Sequence, residues 1–408
     1  MTVKLALVGL GGYGLVYLEG LLDQKRNDDF RIVAGIDPEP QRCTRLQELK
    51  AMEVPIFHSM DEFFNKGTAD LVIISSPIQM HLPQTRFALS RGSNVLCEKP
   101  LGATIQEAGQ MIKARDDAKK FVAIGYQWSF SDAIQALKRD IQSGVLGAAK
   151  RLKTIALWPR GKAYYTRNNW AGKLKDEKGN WVLDSPANNA LAHYLHNMLY
   201  ILGDQVDSSA KPVSVTAELY RANPIENYDT FAARVVTQSD VEILFYGSHA
   251  IEEERGPVIT YEFENATVNY NGRNSNMVAH FSDGSVKNYG TPDDDQVKKM
   301  WDAIRAVQTG EKIVCGPEAA SSQTLCVNGM QESMPEIVNF PNEQISIRGE
   351  IGDKIKYVKG LKDSLLECYE KNALPGELGF EWSKSGKEID LRNYHEFPME
   401  PYQVQNEK

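Results

Sequence analysis

The chain has 408 residues, 42% hydrophobic and 25% charged, which is typical of a globular protein with more than one domain. Its net charge of −8, without a long basic run, argues against a nucleic-acid partner. No apolar stretch approaches the about 20 residues that cross a bilayer, so no membrane partner is expected. The first residues run directly into a strand pattern, and the five cysteines are scattered without a CxxC pair. We therefore expect a cytoplasmic protein without a metal site.

Strand and helix patterns alternate over residues 1–125, as a parallel sheet with crossover helices requires. The predicted strands are Val3–Val8, Phe30–Ile36, Pro55–His58, Ala69–Ser75, Asn94–Glu98 and Phe121–Gly125. Because helical patterns fill the intervals, we predict an α/β dinucleotide-binding domain of the Rossmann type, with a doubly wound parallel sheet, over residues 1–125.

The pattern changes from about Tyr126. Between Val213 and Phe281 several segments alternate polar and apolar residues, and turn signals such as Asp283-Gly284 separate them. Helices are predicted at Ser131–Ser143, Asn188–Leu202, Asp293–Val307, Glu318–Met330 and Val358–Lys371. We predict a C-terminal α/β domain over residues 126–408, with an open, mostly antiparallel sheet that serves substrate binding and oligomerisation.

A glycine-rich sequence follows the first predicted strand and begins the first helix. Its residues are Gly9, Leu10, Gly11, Gly12, Tyr13 and Gly14. Here the first glycine allows a tight turn, Gly11 lets the backbone approach a pyrophosphate, and Gly14 allows the helix to pack on the strand. The helix N-terminus offers N–H groups and a positive dipole end to phosphates. We predict that Gly9, Gly11, Gly12, Tyr13 and Gly14 bind a dinucleotide.

Residues that follow the second and fourth strands complete this predicted cofactor site. Asp37 can accept hydrogen bonds from the adenosine ribose and would repel a 2′-phosphate, which favours NAD(H) over NADP(H). Alternatively, Asp37 only begins a turn. Ser75, Ser76 and Pro77 end the fourth strand, where their backbone would line the nicotinamide ribose. His81 either joins this site or is a polar group at a helix start.

The triplet Glu98-Lys99-Pro100 ends the fifth strand, at the sheet edge where such folds hold ligands. We count Glu98 and Lys99 with the cofactor site. An exposed lysine, with a pKa of about 10.4, is a poor base at neutral pH. Burial beside an oxidised, positively charged nicotinamide would lower the pKa of Lys99, which makes it a candidate general acid/base. Alternatively, Lys99 pairs with Glu98 or stabilises the strand end.

A second polar group lies on the predicted helix Asn188–Leu202. Asn189 and His193 are four residues apart, and His196 borders the same face. Asn189 can orient a hydroxyl or His193, and His193 is the candidate acid/base partner of Lys99. His196 is a candidate substrate contact. Either histidine is alternatively a buried structural residue, and metal binding is not predicted because no third ligand is evident.

Aromatic and cationic residues interleave after the sixth strand. Aromatic faces and cationic donors suit a polyol or an acidic sugar, although a subunit interface uses the same residue types. The candidate substrate contacts are Gln127, Trp128, Trp158, Arg167 and Trp170.

Together these motifs resemble the Gfo/Idh/MocA family of oxidoreductases. The resemblance rests on GLGGYG, a strand ending in Asp37, SSPIQMH over Ser75–His81, CEKPL over Cys97–Leu101, GVLG over Gly144–Gly147, and a histidine-bearing helix ending in Leu202-Gly203. It extends to about Ser333. It implies a bound nicotinamide cofactor, a sugar, cyclitol or polyol substrate, and a Lys99 that contacts both. Many members carry Asp-x-x-x-His-x-x-Asp on the substrate helix, where this chain has Asn189, His193 and His196.

We therefore expect an NAD-dependent oxidoreductase that acts on a secondary hydroxyl or keto group of a sugar, cyclitol or sugar derivative, as a homodimer or homotetramer. Lys99, His193 and Asn189 are the expected catalytic residues. One alternative is a glycoside-cleaving enzyme in which NAD transiently oxidises a sugar carbon before elimination. The other is a non-catalytic NAD(H)-binding sensor.

Overall fold

The computed structural model describes residues 1–23, 29–350 and 353–399. The strands are β1 (Val3–Val8), β2 (Phe30–Ile36), β3 (Ile56–Phe57), β4 (Leu71–Ile74), β5 (Asn94–Cys97), β6 (Val122–Ile124), β7 (Ala149–Leu157), β8 (Pro212–Arg221), β9 (Thr230–Thr237), β10 (Glu242–Ser248), β11 (Arg255–Phe263), β12 (Ala266–Asn271), β13 (Met277–Phe281), β14 (Val286–Gly290), β15 (Val338–Asn339), β16 (Ile345–Arg348), β17 (Ile355–Val358) and β18 (Ile389–Asp390).

The helices are α1 (Gly14–Leu22), α2 (Leu46–Ala51), α3 (Met60–Phe64), α4 (His81–Ser90), α5 (Ile105–Ala118), α6 (Asp132–Gln142), α7 (Lys162–Thr166), α8 (Ala192–Ile201), α9 (Lys298–Thr309), α10 (Pro317–Ser333), α11 (Leu361–Lys371) and α12 (Pro375–Leu378). Short 3-10 turns occur at Pro40–Arg42, Ile78–Met80, Gln127–Phe130 and Asn342–Gln344. None of the helices in the described ranges is long and apolar enough to span a bilayer.

The chain forms two compact units. The first comprises Met1–Gly102, Glu107–Ser131 and Asp295–Ser321, and the second comprises Ala103–Gln106, Asp132–Asp294 and Ser322–Lys408. The predicted division at residue 125 places Asp295–Ser321 in the second domain. In the structure this segment clusters with the first unit, because α9 packs against β1, β4 and β5.

The first unit contains a six-stranded parallel sheet in the order β3-β2-β1-β4-β5-β6, which confirms the predicted Rossmann fold. Its central strand β4, LVII, is buried along its whole length, as in a sheet covered on both faces. The register aligns the last residues of four strands: Val8 pairs with Ile36 and Ile74, and Ile74 pairs with Cys97. Residues that directly follow these strands therefore meet at one edge of the sheet.

The second unit contains a ten-stranded sheet in the order β14-β13-β12-β11-β7-β10-β9-β8-β15, with β18 also paired to β8. Its pairs are antiparallel except β7–β10 and β8–β15, which confirms the predicted mostly antiparallel sheet. Because β7 and β10 are parallel neighbours, their carboxyl ends lie together.

Helices pack on both faces of this sheet. The Thr154 hydroxyl of β7 donates to Met198 Sδ of α8, with the oxygen and sulfur 3.3 Å apart. The next residue, Ile155, belongs instead to a buried cluster with Leu361 and Leu365 of α11. Because side chains of a strand alternate between faces, α8 and α11 lie on opposite sides of β7. The segment after Ser333, which supplies α11, thus covers part of one face.

The helix predicted over Asn188–Leu202 begins later, at Ala192. Asn189 lies in the preceding turn, where its N–H donates to the Ser185 carbonyl at 2.9 Å. The Ser185 hydroxyl also accepts from Asn188 N at 3.2 Å, and such local bonds compete with regular helix. The expectation that Asn189 and His193 share one helix is therefore wrong.

Helix α1 packs closely on the turn formed by residues 9–14, which we call the glycine turn. A single added methyl group there should therefore have a large effect on stability. A Cβ at Gly14 would lie 2.0 Å from the Gly9 carbonyl oxygen. We expect Gly14→Ala to lower the free energy of unfolding by about 1–3 kcal/mol, because this backbone atom must move. Gly109→Ala in α5 is the control, since a Cβ there meets nothing within 4 Å and should stabilise the helix by up to about 1 kcal/mol. Urea unfolding of both variants measures the difference, and equal effects would contradict this account.

Candidate functional site

The glycine turn lies against the end of β4. Gly9 has a φ of +84°, and a Cβ there would lie 2.9 Å from the Ser75 carbonyl oxygen, so the position favours glycine. Gly11 has open space where a side chain would project. Within the described residues, no protein acceptor takes the N–H groups of Gly11, Gly12 and Tyr13. This turn, at the N-terminus of α1, therefore fits a phosphate-bearing cofactor.

Asp37 holds the same turn from the end of β2. Its Oδ2 accepts from Leu10 N and its Oδ1 accepts from Glu39 N, each at 2.8 Å. A carboxylate has about four acceptor positions, so two bonds leave capacity for ribose hydroxyls. Asp37 thus begins a turn and keeps acceptor positions for ribose hydroxyls. The two interpretations of this residue from the sequence are therefore compatible.

His81 joins the turn after β4 to the loop after β5. Its Nδ1 lies 2.7 Å from the Pro100 carbonyl oxygen and its Nε2 lies 3.0 Å from the Ser76 carbonyl oxygen. The side chain is buried, and burial lowers its pKa although the two carbonyls act in the opposite direction. These contacts support the structural alternative for His81, and a cofactor contact stays a prediction. The Ser76 hydroxyl donates to Gln84 Oε1 at 2.5 Å.

A buried ion pair fixes Glu98 at the end of β5. Glu98 is 5% exposed and pairs with the fully buried Lys299 of α9. The Lys299 ammonium also donates to the Gly125 carbonyl at 3.0 Å and to the Tyr13 hydroxyl at 3.2 Å. The Tyr17 hydroxyl of α1 donates to Glu98 Oε1 at 2.6 Å. The carboxylate therefore links β5, the first helix and α9.

Lys299 keeps its positive charge at this site. Burial lowers its pKa, but the Glu98 carboxylate and Tyr13 raise it more, so the pKa lies above its ordinary value. Glu98 Oε2 also accepts the backbone N–H of Lys99 at 3.1 Å. Sequence analysis missed Lys299, which is 201 residues from Glu98 and carries no local signal.

Two candidate substrate contacts belong to the first unit. Gln127 accepts a hydrogen bond from the Tyr13 hydroxyl at 3.1 Å, which places its amide beside the glycine turn. Trp128 is 2% exposed and lies in the interior of the chain. A substrate contact through either residue stays a prediction.

In the second unit, Asn189 is bound to a carboxylate that the sequence did not single out. Asp184 is 2% exposed and accepts from Asn189 Nδ2 and from Gly172 N, both at 2.7 Å. A guanidinium nitrogen of Arg167 lies 3.7 Å from the second Asp184 oxygen. Asp184 therefore brings two predicted site residues together.

The two histidines of α8 differ in burial. His193 is half-buried, and its acid/base role stays a prediction. His196 is 1% exposed, and its ring stacks on Tyr200 with centroids 5.5 Å apart. Burial, and then the charge of Lys138, lower the pKa of His196 to about 3. These features support the structural alternative for His196.

The aromatic segment forms a cluster with arginines. The Arg167 guanidinium lies 3.8 Å from the Tyr164 ring centroid and 5.3 Å from that of Trp170. The guanidinium groups of Arg160 and Arg273 lie 5.7 Å and 4.2 Å from the centroid of the Trp158 ring. The structure thus groups Arg167 with Trp170, while their use as substrate contacts stays a prediction, with a subunit interface as the alternative.

Comparison with known proteins identifies the type of domain that the first unit forms. Residues 3–126 match the model of the oxidoreductase family with an NAD-binding Rossmann fold. The first unit is therefore an NAD-binding Rossmann domain. Over these residues the chain is thus similar to the Gfo/Idh/MocA oxidoreductases, in agreement with the resemblance of its motifs.

Related sequences align over part of their length. The rhizopine catabolism protein MocA of Rhizobium meliloti is 29% identical over 144 residues, which are 35% of this chain and 44% of that protein. An inositol 2-dehydrogenase of Klebsiella pneumoniae is 23% identical over 209 residues, which are 51% of this chain and 57% of that protein. The chain thus spans about half the length of these relatives.

Solved structures share the fold beyond the matched domain. An oxidoreductase from Agrobacterium radiobacter, crystallised with NAD+, L-tartaric acid and magnesium, has a TM-score of 0.68 at 17% identity, covering 82% of this chain and 97% of that chain. The WlbA dehydrogenase from Bordetella pertussis, crystallised with NADH and UDP-GlcNAcA, has a TM-score of 0.67 at 18% identity, with the same two coverages. At these identities the likeness shows the fold alone.

Removal of Lys299 should destabilise the first unit. We expect Lys299→Met to lower the free energy of unfolding by about 3–5 kcal/mol, because it leaves the Glu98 carboxylate buried without a cation. The double variant Lys299→Met/Glu98→Gln should recover part of this loss. Lys113→Met, an exposed lysine of α5, is the control. Urea unfolding provides the measurement, and a loss no larger than the control's would show that the ion pair contributes little.

The buried His196 predicts a loss of stability in acid. Its pKa is about 3 in the folded protein and about 6.5 when unfolded, so below pH 6.5 the unfolded state binds more protons. Its contribution is complete above pH 6.5 and decreases as the pH falls toward 3. Between pH 7 and pH 5 we expect His196→Gln to lose about 2 kcal/mol less stability than the wild type.

Chemical unfolding at the two pH values measures this difference. The exposed His395→Gln is the control and should keep the wild-type pH dependence. A pH dependence of His196→Gln equal to that of the wild type would show that His196 titrates alike in both states.

Proposed function

We propose that the protein is an NAD(H)-dependent oxidoreductase that acts on a secondary hydroxyl or keto group of a sugar, cyclitol or sugar derivative. The supporting observation is the position of Lys99, the second residue after β5. It follows Glu98, whose carboxylate accepts a hydrogen bond from Tyr17 in α1, the helix that the glycine turn begins. The family description and the relative named inositol 2-dehydrogenase favour the same chemistry and substrate class.

The cofactor would be held by the N–H groups of Gly11, Gly12 and Tyr13 and by the free acceptor positions of Asp37. Asp37 favours NAD(H), because its charge repels a 2′-phosphate. When bound, NAD supplies the hydride acceptor for oxidation, and NADH supplies the donor for reduction.

Proton transfer falls to Lys99 and His193. In the proposed oxidation, the unprotonated Lys99 Nζ takes the hydroxyl proton of the substrate, and His193 is the second candidate acid/base. Asn189 has no ionisable group, and its role is to orient a hydroxyl through the amide that Asp184 fixes. Glu98 acts on Lys99 through the backbone, by accepting its N–H.

Substrate contacts from Arg167, Trp170, Trp158 and Gln127 complete the proposal. The cytoplasmic location and the homodimer or homotetramer expected from the sequence stay predictions.

Replacement of Lys99 tests the reaction directly. We expect Lys99→Ala to lower kcat about 10²–10⁴-fold on a substrate found by screening sugars and cyclitols with NAD, because the general base is lost. NADH affinity should fall by a smaller factor than kcat, because Lys99 is also a predicted cofactor contact. The exposed Lys113→Ala is the control and should keep wild-type kcat. NADH absorbance measures turnover, and fluorescence titration measures affinity.

Three outcomes would contradict the proposal. Unchanged kcat in Lys99→Ala would exclude the lysine as acid/base. Release of an aglycone from a glycoside panel without net NADH would indicate redox-assisted glycoside cleavage. Tight NADH binding without turnover on either panel would indicate a sensor.

A further inference from the structure

Four side chains meet at the carboxyl ends of β7 and β10 in the second unit. These parallel strands end in register at Leu157 and Ser248. Beyond them the backbones remain paired, since Arg160 N donates to the His249 carbonyl at 3.1 Å. Helix α7 follows and adds two tyrosines. We name Arg160, Tyr164, Tyr165 and His249 the Arg160 cluster.

His249 is the most buried member of the Arg160 cluster. It is 1% exposed, its Nδ1 lies 3.3 Å from the Tyr165 hydroxyl, and the Tyr164 ring meets it edge-on at 5.3 Å. Burial, and then the charges of Arg160 and Arg167, hold its pKa well below the ordinary value, so the ring is neutral. Its buried Nε2 has no hydrogen-bond partner within the described residues. Such an unsatisfied atom costs about 1–3 kcal/mol and calls for an explanation.

Arg160 is unsatisfied in a similar way. Its buried Nε has no hydrogen-bond partner in the described part of the chain, and one terminal nitrogen donates only to the adjacent Pro159 carbonyl, at 3.2 Å. No described carboxylate lies within the 4.0 Å ion-pair distance of its guanidinium. Arg167, in contrast, has Asp184. Asp184 therefore neutralises Arg167 alone, and no described carboxylate neutralises the positive charge of Arg160.

An aromatic surface accompanies this charge. The Tyr164 ring lies within cation–π distance of Arg160, at 5.3 Å, and of Arg167, at 3.8 Å. A planar guanidinium matches the two oxygens of a carboxylate, and a ring face suits the C–H groups of a sugar. A carboxylate attached to a polyol satisfies both features, whereas inorganic phosphate would use only the charge.

We propose that the Arg160 cluster binds the carboxylate of an acidic sugar or polyol acid. Arg160 Nε and His249 Nε2 donate to the carboxylate oxygens, while His249 Nδ1 accepts from the Tyr165 hydroxyl and Tyr164 contacts the carbon chain. The inference rests on the proposed function, because it names the substrate class of that enzyme.

Binding to the full-length, NADH-loaded protein tests the proposal without requiring turnover. Isothermal titration calorimetry compares three matched pairs: D-glucuronate with D-glucose, D-galacturonate with D-galactose, and D-gluconate with D-glucitol. We expect at least one acid to bind tenfold or more tightly than its neutral partner. Absence of this preference in all three pairs would overturn the proposal, as would tighter binding of inorganic phosphate than of every acid.

Variants then locate the site. Arg160→Gln and His249→Gln should each reduce the acid preference to less than threefold while changing neutral-sugar affinity less than twofold. Arg139→Gln, an exposed arginine of α6, is the matched control and should keep the full preference. An acid preference that survives both cluster variants would place the anion site elsewhere. A failed redox reaction with intact acid binding would overturn the oxidoreductase proposal alone.

Discussion

The buried ion pair between Glu98 and Lys299 is the constraint on which the cofactor unit depends. Removing two charges from water costs several kcal/mol per ion, and only complete hydrogen bonding offsets that cost. Here the three donors of the ammonium all have acceptors, on Glu98, Gly125 and Tyr13. Because these groups come from separate segments, the pair holds the glycine turn, the end of β5 and α9 in one arrangement.

The register of the parallel strands then brings the residues of the cofactor site together. Gly9, Asp37, Ser75 and Glu98 each follow a strand directly, and the parallel register aligns those strand ends. Hydrogen bonds between the resulting loops are therefore short and specific. Asp37 binds the glycine turn, and His81 bridges the loops after β4 and β5. Since the site is made of loops on a rigid edge, its geometry follows from the sheet.

Sequence predicted those features that depend on local pattern. The six strands and the glycine turn have strong local signals, and they are confirmed. Lys299 could not be predicted, because its partner is 201 residues away and nothing near it marks a buried charge. The predicted start of α8 was wrong because Ser185 and Asp184 accept local hydrogen bonds that compete with helix formation. His249 had a usable signal, since it directly follows β10, one of the alternating segments between Val213 and Phe281.

The turn before α8 also determines where charged groups lie in the second unit. The predicted site residue Asn189 carries no charge, and the nearest carboxylate comes from Asp184, which the turn before α8 delivers. That carboxylate contacts Arg167 and two amide groups, and no described carboxylate lies within ion-pair distance of Arg160. A local positive region thus persists within a chain whose net charge is −8. Because a general negative charge repels anions, selective binding of one requires such a region to be built from fixed, partly desolvated donors.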